Sequence, residues 1–130
     1  MLSRAGVMPT ILLVEDEPLM RQVMRESLEL DGYRVLEAAD GQEALDVISR
    51  SRDGVDVIVT DIVMPKMTGA ELMRQVRERH PGMPVVLISG WPISTRESID
   101  ARTLFLKKPV TYGQLVRAVH RSLARATPSA

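Results

Sequence analysis

The stretch VDVIVTDIVMP, residues 55–65, indicates the fold more clearly than any other part of the chain. Residues 55–60 are mostly apolar and β-branched, which is typical of a strand that is buried on both faces of a sheet. This predicted strand ends at Asp61, and Pro65 then breaks the chain. A buried strand that ends in a carboxylate is expected at the ligand-binding edge of a parallel sheet.

Short apolar runs alternate with longer amphipathic stretches in both directions from this segment. The other predicted strands are residues 10–14, 33–37, 85–88 and 104–106. The predicted helices begin at Pro18, after Asp40-Gly41, at the capping pairs Thr68/Glu71 and Thr111/Gln114, and at a short segment from Ser94 to Glu97. Five strands alternating with five helices predict an α/β fold with an open, doubly wound parallel sheet.

Length, composition and charge restrict the class of protein. The 130 residues predict a single domain, 1–130, with a core at about 10–125. The chain has no cysteine, which excludes disulfides, cysteine zinc sites and thiol catalysis. The 17 basic and 17 acidic side chains balance, which argues against direct nucleic-acid binding. Neither a signal peptide nor a membrane-length apolar run occurs, so we expect a soluble, cytoplasmic protein with no membrane partner.

The residues that follow the predicted strands carry the chemistry. Strand one is followed by Glu15 and Asp16, strand three by Asp61, strand four by Ser89 and strand five by Lys108. The carboxyl ends of parallel strands meet at one edge, so these side chains are expected to converge there. Crowded carboxylates repel one another, and a bound cation relieves that repulsion through its positive charge. Mg²⁺ is the expected cation because it prefers oxygen ligands.

Asp16 and Asp61 are the preferred metal ligands, because two separate strands deliver them to one edge. For Glu17, capping of the next helix or solvation is the better interpretation. A carboxylate can also act as a nucleophile and form an aspartyl phosphate. That reaction needs a cation on the transferring oxygens, for which Lys108 is the candidate, and Ser89 could donate a hydrogen bond to a phosphoryl oxygen.

Four motifs, in this order, resemble the receiver domains of two-component response regulators: LLVEDEP (12–18), VTDIVMP (59–65), LISG (87–90) and LKKP (106–109). The resemblance covers about residues 10–123. It implies a five-stranded, flavodoxin-like (βα)5 fold with strand order 2-1-3-4-5. It also implies that Asp61 is the phospho-acceptor. Mg²⁺, for which Mn²⁺ could substitute, would bind Asp16, Asp61 and the Val63 backbone carbonyl, and Glu15 through a water.

The resemblance assigns roles to further residues. Ser89 and Lys108 would contact the phosphoryl group, Ser89 and Phe105 would be the switch residues, and the Lys108-Pro109 bond would be cis. Glu15 replaces the commoner aspartate, Phe105 lacks the hydroxyl of a tyrosine, and the span from Ser89 to Lys108 is short, so the fourth helix should be short or irregular. The positions that tune the phosphorylated lifetime hold apolar residues, Val63 and Trp91, which predicts slow dephosphorylation.

The function implied is that of a phosphorelay receiver and not of a conventional enzyme. Such a receiver catalyses only its own phosphorylation and slow dephosphorylation. A sensor histidine kinase or histidine phosphotransfer domain would donate to Asp61. The face of the fourth helix, fifth strand and fifth helix would then switch towards an unknown downstream protein, with the chain a monomer or a weak phosphorylation-dependent dimer. We expect either a stand-alone receiver, which Met1 favours, or the receiver of a hybrid kinase, which the compact stretch from Ser89 to Pro109 resembles.

Three alternatives remain open. The first is a receiver that docks without being phosphorylated, which the intact set of site residues disfavours. The second is a phosphatase of the haloacid dehalogenase type, although Val63 stands where that class needs a second acid. The third is a nucleotide- or flavin-binding module, which would need a glycine-rich loop after strand one instead of acids.

Overall fold

The computed structural model describes residues 8–51, 54–90 and 101–126. Its sheet has five strands, and four helices lie within the described ranges. The strands are β1 (Thr10–Val14), β2 (Arg34–Ala38), β3 (Val57–Asp61), β4 (Val85–Ser89) and β5 (Thr103–Lys107). The helices are α1 (Pro18–Leu30), α2 (Gly41–Arg50), α3 (Gly69–Arg79) and α4 (Tyr112–Ala126). The helix predicted from Ser94 to Glu97 lies outside the described residues.

The sheet confirms the predicted topology. All four ladders are parallel, and the strand order is β2-β1-β3-β4-β5. Because the strands are parallel, their carboxyl ends lie along one edge of the sheet. The residues of interest end or follow β1, β3, β4 and β5 at that edge.

The bounds of four strands differ from the prediction. β4 extends one residue further, to Ser89, and β5 is one residue longer at each end, at Thr103 and Lys107. β3 begins at Val57 and not at residue 55, and it extends through Asp61. The reason lies in Asp56, whose carboxylate accepts a hydrogen bond of 2.7 Å from the backbone amide of Thr10. That bond ties Asp56 to the start of β1 and delays the strand. β2 begins one residue late, at Arg34, because the Tyr33 amide donates to the Leu28 carbonyl at 3.2 Å and so still belongs to the end of α1.

The sheet separates two apolar cores. One core lies under α1 and α4, where Leu28 and Val119 pack on alternate residues of the central strands. The other lies under α2 and α3, where Ala44 and Leu72 pack on the remaining residues. Every residue of β1, β3 and β4 is buried, which explains their nearly continuous apolar sequences. None of the helices within the described ranges is long and apolar enough to cross a membrane.

Three helices within the described ranges begin with a side-chain cap. The Asp40 carboxylate accepts from the Glu43 amide at 2.8 Å, and the Thr68 hydroxyl accepts from the Glu71 amide at 3.1 Å. At α4, the Thr111 hydroxyl accepts from the Gln114 backbone amide at 3.1 Å, and the Thr111 backbone amide donates to the Gln114 side-chain oxygen at 2.9 Å. These bonds satisfy backbone donors that the first helical turn leaves open.

Candidate functional site

The loop after β1 carries two acidic side chains with different exposure. Glu15 is buried, with 2% of its surface exposed, whereas Asp16 is exposed. The Glu15 amide donates to the carbonyl of Ala38 at 3.1 Å, which anchors the loop to β2. The Glu15 carboxylate accepts from the Glu17 amide at 3.1 Å, so it points back over the start of α1.

Asp61 lies beside these acids at the end of β3, with only 3% of its surface exposed. One carboxylate oxygen from each of Glu15, Asp16 and Asp61 lies within 4.8 Å of the others. Glu15 Oε1 and Asp61 Oδ2 are buried and accept no hydrogen bond within the described part of the chain. Buried carboxylate oxygens that lack donors are the ligands a hard divalent cation prefers, so these three residues fit Mg²⁺.

The surroundings of Glu15 change its pKa. Burial first, and then the neighbouring carboxyl group of Asp61, raise the pKa of Glu15 to about 8, while the Glu17 amide opposes the shift. At neutral pH such a pKa favours the protonated form of Glu15, because burial and repulsion from the carboxyl group of Asp61 both oppose its ionised form. A bound cation would relieve this repulsion.

Lys108 supplies the positive charge of the site. Its Nζ lies 3.2 Å from Asp61 Oδ1, although 43% of its side chain is exposed. Burial alone would lower the pKa of Lys108, but the charges of Asp61, Glu15 and Asp16 raise it above its ordinary value. The Lys108 amide donates to the Ser89 carbonyl at 2.8 Å, and the Lys108-Pro109 bond is cis as expected.

The remaining predicted residues lie at different depths. Ser89 is buried at the end of β4, one residue after Ile88, the residue that pairs with Asp61 across the sheet. Phe105 is half-buried in β5 and packs against the core under α2 and α3. Val63 is 64% exposed, and Glu17 is exposed at the start of α1 without a side-chain cap. Trp91 lies outside the described residues.

Arg21 belongs to the surroundings of the site, although the sequence analysis does not identify it. Its Nη1 donates to the Glu15 carbonyl at 2.7 Å, and its Nε lies 3.3 Å from Glu37 Oε1. Arg25 binds the other oxygen of Glu37 at 3.3 Å. The only signal in the sequence is the position of Arg21 one helical turn after Glu17, which gives no partner.

A groove beside the cluster was also missed. Its volume is about 520 Å³, and it lies between α1 and the start of α4. Met20, Val23 and Tyr112 contribute partly exposed apolar surface to it, and Lys108 lies at the end next to the acids. The helical pattern of α1 predicts an inward stripe containing Met20 and Val23, but both side chains line this open groove.

Comparisons with known proteins agree with this geometry. Residues 11–120 match the family described as response regulator receiver domain. Sensor kinase CckA of Brucella abortus is 38% identical over 119 residues, which are 89% of this chain and 13% of that protein. Response regulator MprA of Mycolicibacterium vanbaalenii is 33% identical over 126 residues, which are 91% of this chain and 52% of that protein. The chain thus spans about half or less of the length of these curated relatives.

Solved structures give the same result. The receiver domain from the hybrid histidine kinase CckA is 36% identical with a TM-score of 0.75, covering 88% of this chain and 98% of that one. The chemotaxis response regulator CheY4 of Vibrio cholerae is 31% identical with a TM-score of 0.80, covering 90% and 100%. Both matches extend over nearly the whole of the other chain.

Proposed function

This chain belongs to the family of response regulator receiver domains of two-component signalling, and on that premise we propose that Asp61 accepts a phosphoryl group in a Mg²⁺-dependent reaction. The observation that supports this best is a buried Asp61 carboxylate with an ammonium group 3.2 Å away and two further acids beside it. Such a site combines a nucleophile with the charges that phosphoryl transfer requires.

The metal would be held by Asp16, Asp61 and the Val63 carbonyl, with Glu15 acting through a water and Mn²⁺ as a substitute. When bound, the cation supplies positive charge against the phosphoryl oxygens. An Asp61 carboxylate oxygen forms the bond to phosphorus as the phosphorus–nitrogen bond of a phosphohistidine breaks, and the released imidazole takes up a proton. Lys108 offsets charge on the transferred oxygens, and Ser89 donates a hydrogen bond to one of them.

The donor would be a sensor histidine kinase or a histidine phosphotransfer domain. Ser89 and Phe105 would then shift. The face predicted from the sequence, made by the fourth helix, the fifth strand and the fifth helix, would change its affinity for a downstream protein; β5 and α4 are its described elements. The half-buried position of Phe105 in β5 supports this, because an aromatic ring there can move between core and surface. We take the chain as one receiver domain, with its core at about 10–125, and as a monomer or a weak phosphorylation-dependent dimer.

The alternative functions gain little support. A phosphatase of the haloacid dehalogenase type needs an acid where this chain has the exposed, apolar Val63. A docking receiver that is never phosphorylated gives no role to the pairing of Lys108 with Asp61. In this reaction the domain is the substrate and assists its own phosphorylation at Asp61. It would therefore not be a conventional enzyme.

The first prediction tests the phospho-acceptor. Wild-type protein incubated with acetyl phosphate and Mg²⁺ should gain the mass of one phosphoryl group in intact-protein mass spectrometry, and a chelator should prevent the gain. Asp61→Asn should gain nothing, because the nucleophilic carboxylate is removed. Asp46→Asn on the exposed face of α2 is the matched control and should be labelled like the wild type. A labelled Asp61→Asn protein would disprove the assignment.

The second prediction concerns the lifetime of the phosphorylated protein. Val63 lies two residues after Asp61 and is 64% exposed. Its apolar side chain has no polar atom that could orient an attacking water. Val63→Asn should therefore speed dephosphorylation by about tenfold, the effect of ~1.4 kcal/mol in the barrier. The decay is followed in Mg²⁺ without kinase, with Trp91→Glu in parallel. Unchanged decay in both variants would show that these apolar residues do not set the lifetime.

A further inference from the structure

Charge is unevenly distributed along this neutral chain. Residues 101–130 contain no Asp or Glu, and their basic residues are Arg102, Lys107, Lys108, Arg117, Arg121 and Arg125. The formal net charge of the whole chain is zero, so the preceding residues carry the balancing excess of acid. The strand β5 and the helix α4 therefore form the basic part of the molecule.

The arginines of α4 lie in one row. Arg117, Arg121 and Arg125 are four residues apart, a spacing that places side chains on one face of a helix, and all three are exposed. Arg117 and Arg121 form no salt bridge with any acid in the described ranges. Some arginines of other helices are paired, since Arg21 and Arg25 of α1 pair with Glu37, and Arg74 of α3 pairs with Glu71.

A small cleft lies beside this row. Its volume is about 200 Å³, and it is formed between β5 and α4. Leu104, Leu106 and Ala118 supply apolar surface, while Arg117 and Arg121 stand at its rim. The cleft also contacts Phe105, the predicted switch residue. β5 pairs only with β4 among the described strands, so it forms one margin of the described sheet.

We propose that this basic cleft is the docking site for a protein segment in which an apolar side chain is flanked by carboxylates. The inference rests on the proposed function, and it specifies the chemistry of the partner that the switching face recognises. The apolar side chain would occupy the surface of Leu104 and Leu106. The flanking carboxylates would pair with Arg117 and Arg121, whose planar guanidinium groups suit bidentate binding.

A protein segment fits the cleft better than a nucleic acid. A phosphate backbone binds mainly through its charge. The apolar surface of Leu104 and Leu106 in the cleft would add little to such binding. Nucleic-acid binding also favours a clear basic excess, and this chain has none. An acidic segment with an apolar side chain uses both properties of the cleft.

The test is an NMR titration of ¹⁵N-labelled protein with a short synthetic peptide that carries a central leucine between glutamates. Three probes serve as comparisons: a peptide with Gln for Glu, a peptide with Ser for Leu, and single-stranded oligothymidine. The Glu-Leu peptide should shift resonances of β5 and α4, and it should bind more tightly than every comparison probe. Raising the ionic strength should weaken it, because exposed charges are screened.

Paired variants locate the site. Arg117→Glu with Arg121→Glu should weaken the Glu-Leu peptide at least about fivefold, since attraction becomes repulsion. The control, Arg50→Glu with Arg79→Glu, changes the net charge equally on exposed positions of α2 and α3 and should alter binding less than about twofold. Equal weakening by both pairs would overturn the proposal, because it would show attraction by overall charge only.

Three other results would also overturn it. They are tighter binding of oligothymidine, shifts confined to other elements, and a concentration-dependent self-association that uses these arginines in place of a partner. Phosphorylation is measured separately on the same proteins with acetyl phosphate. Labelled protein that does not prefer the Glu-Leu peptide refutes this proposal alone, whereas unlabelled wild type refutes the proposed function.

Discussion

Arg21 shows how one side chain outside the acidic cluster can hold that cluster in place. Its guanidinium joins the Glu15 carbonyl, at 2.7 Å, to the carboxylate of Glu37 on β2. Glu37 is in turn fixed by Arg25, so a chain of charged groups runs from the edge strand to the loop that carries Glu15 and Asp16. Groups that orient metal ligands influence metal affinity without touching the metal.

We therefore predict that Arg21→Met weakens Mg²⁺ binding by about tenfold, the lower end of what such outer partners contribute. Affinity is measured by calorimetry on the unphosphorylated protein. Arg25→Met is the matched control, because it removes the other partner of Glu37 but leaves the contact with Glu15 intact. Both variants should lose similar thermal stability. If Arg25→Met weakened Mg²⁺ as much as Arg21→Met, the contact with Glu15 would not be what matters.

The residues at strand ends were predictable, and those around them were not. Asp61 ends β3, Asp16 lies two residues after β1 and Lys108 follows β5, so the order of the strands alone places them at one edge. Arg21 acts through a helix whose rotation depends on packing against β2, and its partner Glu37 lies on another element. No local pattern in the sequence encodes that pairing.

At the scale of an element, the start of α3 is fitted tightly against the end of β3. Gly69 donates its amide to the Ile62 carbonyl at 2.8 Å. A Cβ atom at position 69 would lie 2.1 Å from the Asp61 carbonyl oxygen, which is backbone and cannot swing aside. The helix can approach the phospho-acceptor this closely only because residue 69 lacks a side chain.

Gly69→Ala should therefore lower the free energy of unfolding by about 3 kcal/mol, the upper range for overpacking. It should also reduce labelling by acetyl phosphate, because the shift falls on the backbone of Asp61. Gly82→Ala is the control, since a Cβ there meets only the flexible Arg102 side chain at 3.7 Å. Urea unfolding compares the two variants. Equal midpoints would mean that α3 moves away from β3 at little cost.

At the scale of the whole molecule, the sequence predicted the class of fold and its topology because the strands are buried on both faces and read as plain apolar runs. Boundaries were less predictable where a long-range bond intervened, as Asp56 does when it binds the Thr10 amide at 2.7 Å. The sequence also did not predict that Arg117 and Arg121 of α4 would lack salt bridges within the described residues. A neutral total charge conceals their segregation until the helix and β5 are placed side by side.

The division into two cores also has a consequence for how the chain folds during synthesis. Among the described strands none pairs through a hairpin, so each of their ladders requires closure of a long loop before it forms. The core under α1 is completed by Leu115, Val119 and Leu123, which lie in the last described helix. A nascent chain that has not yet released α4 from the ribosome exposes the part of this sheet face that α1 does not cover. We therefore expect the domain to fold in one late step after α4 emerges, with the earlier segments open to proteases and chaperones until then.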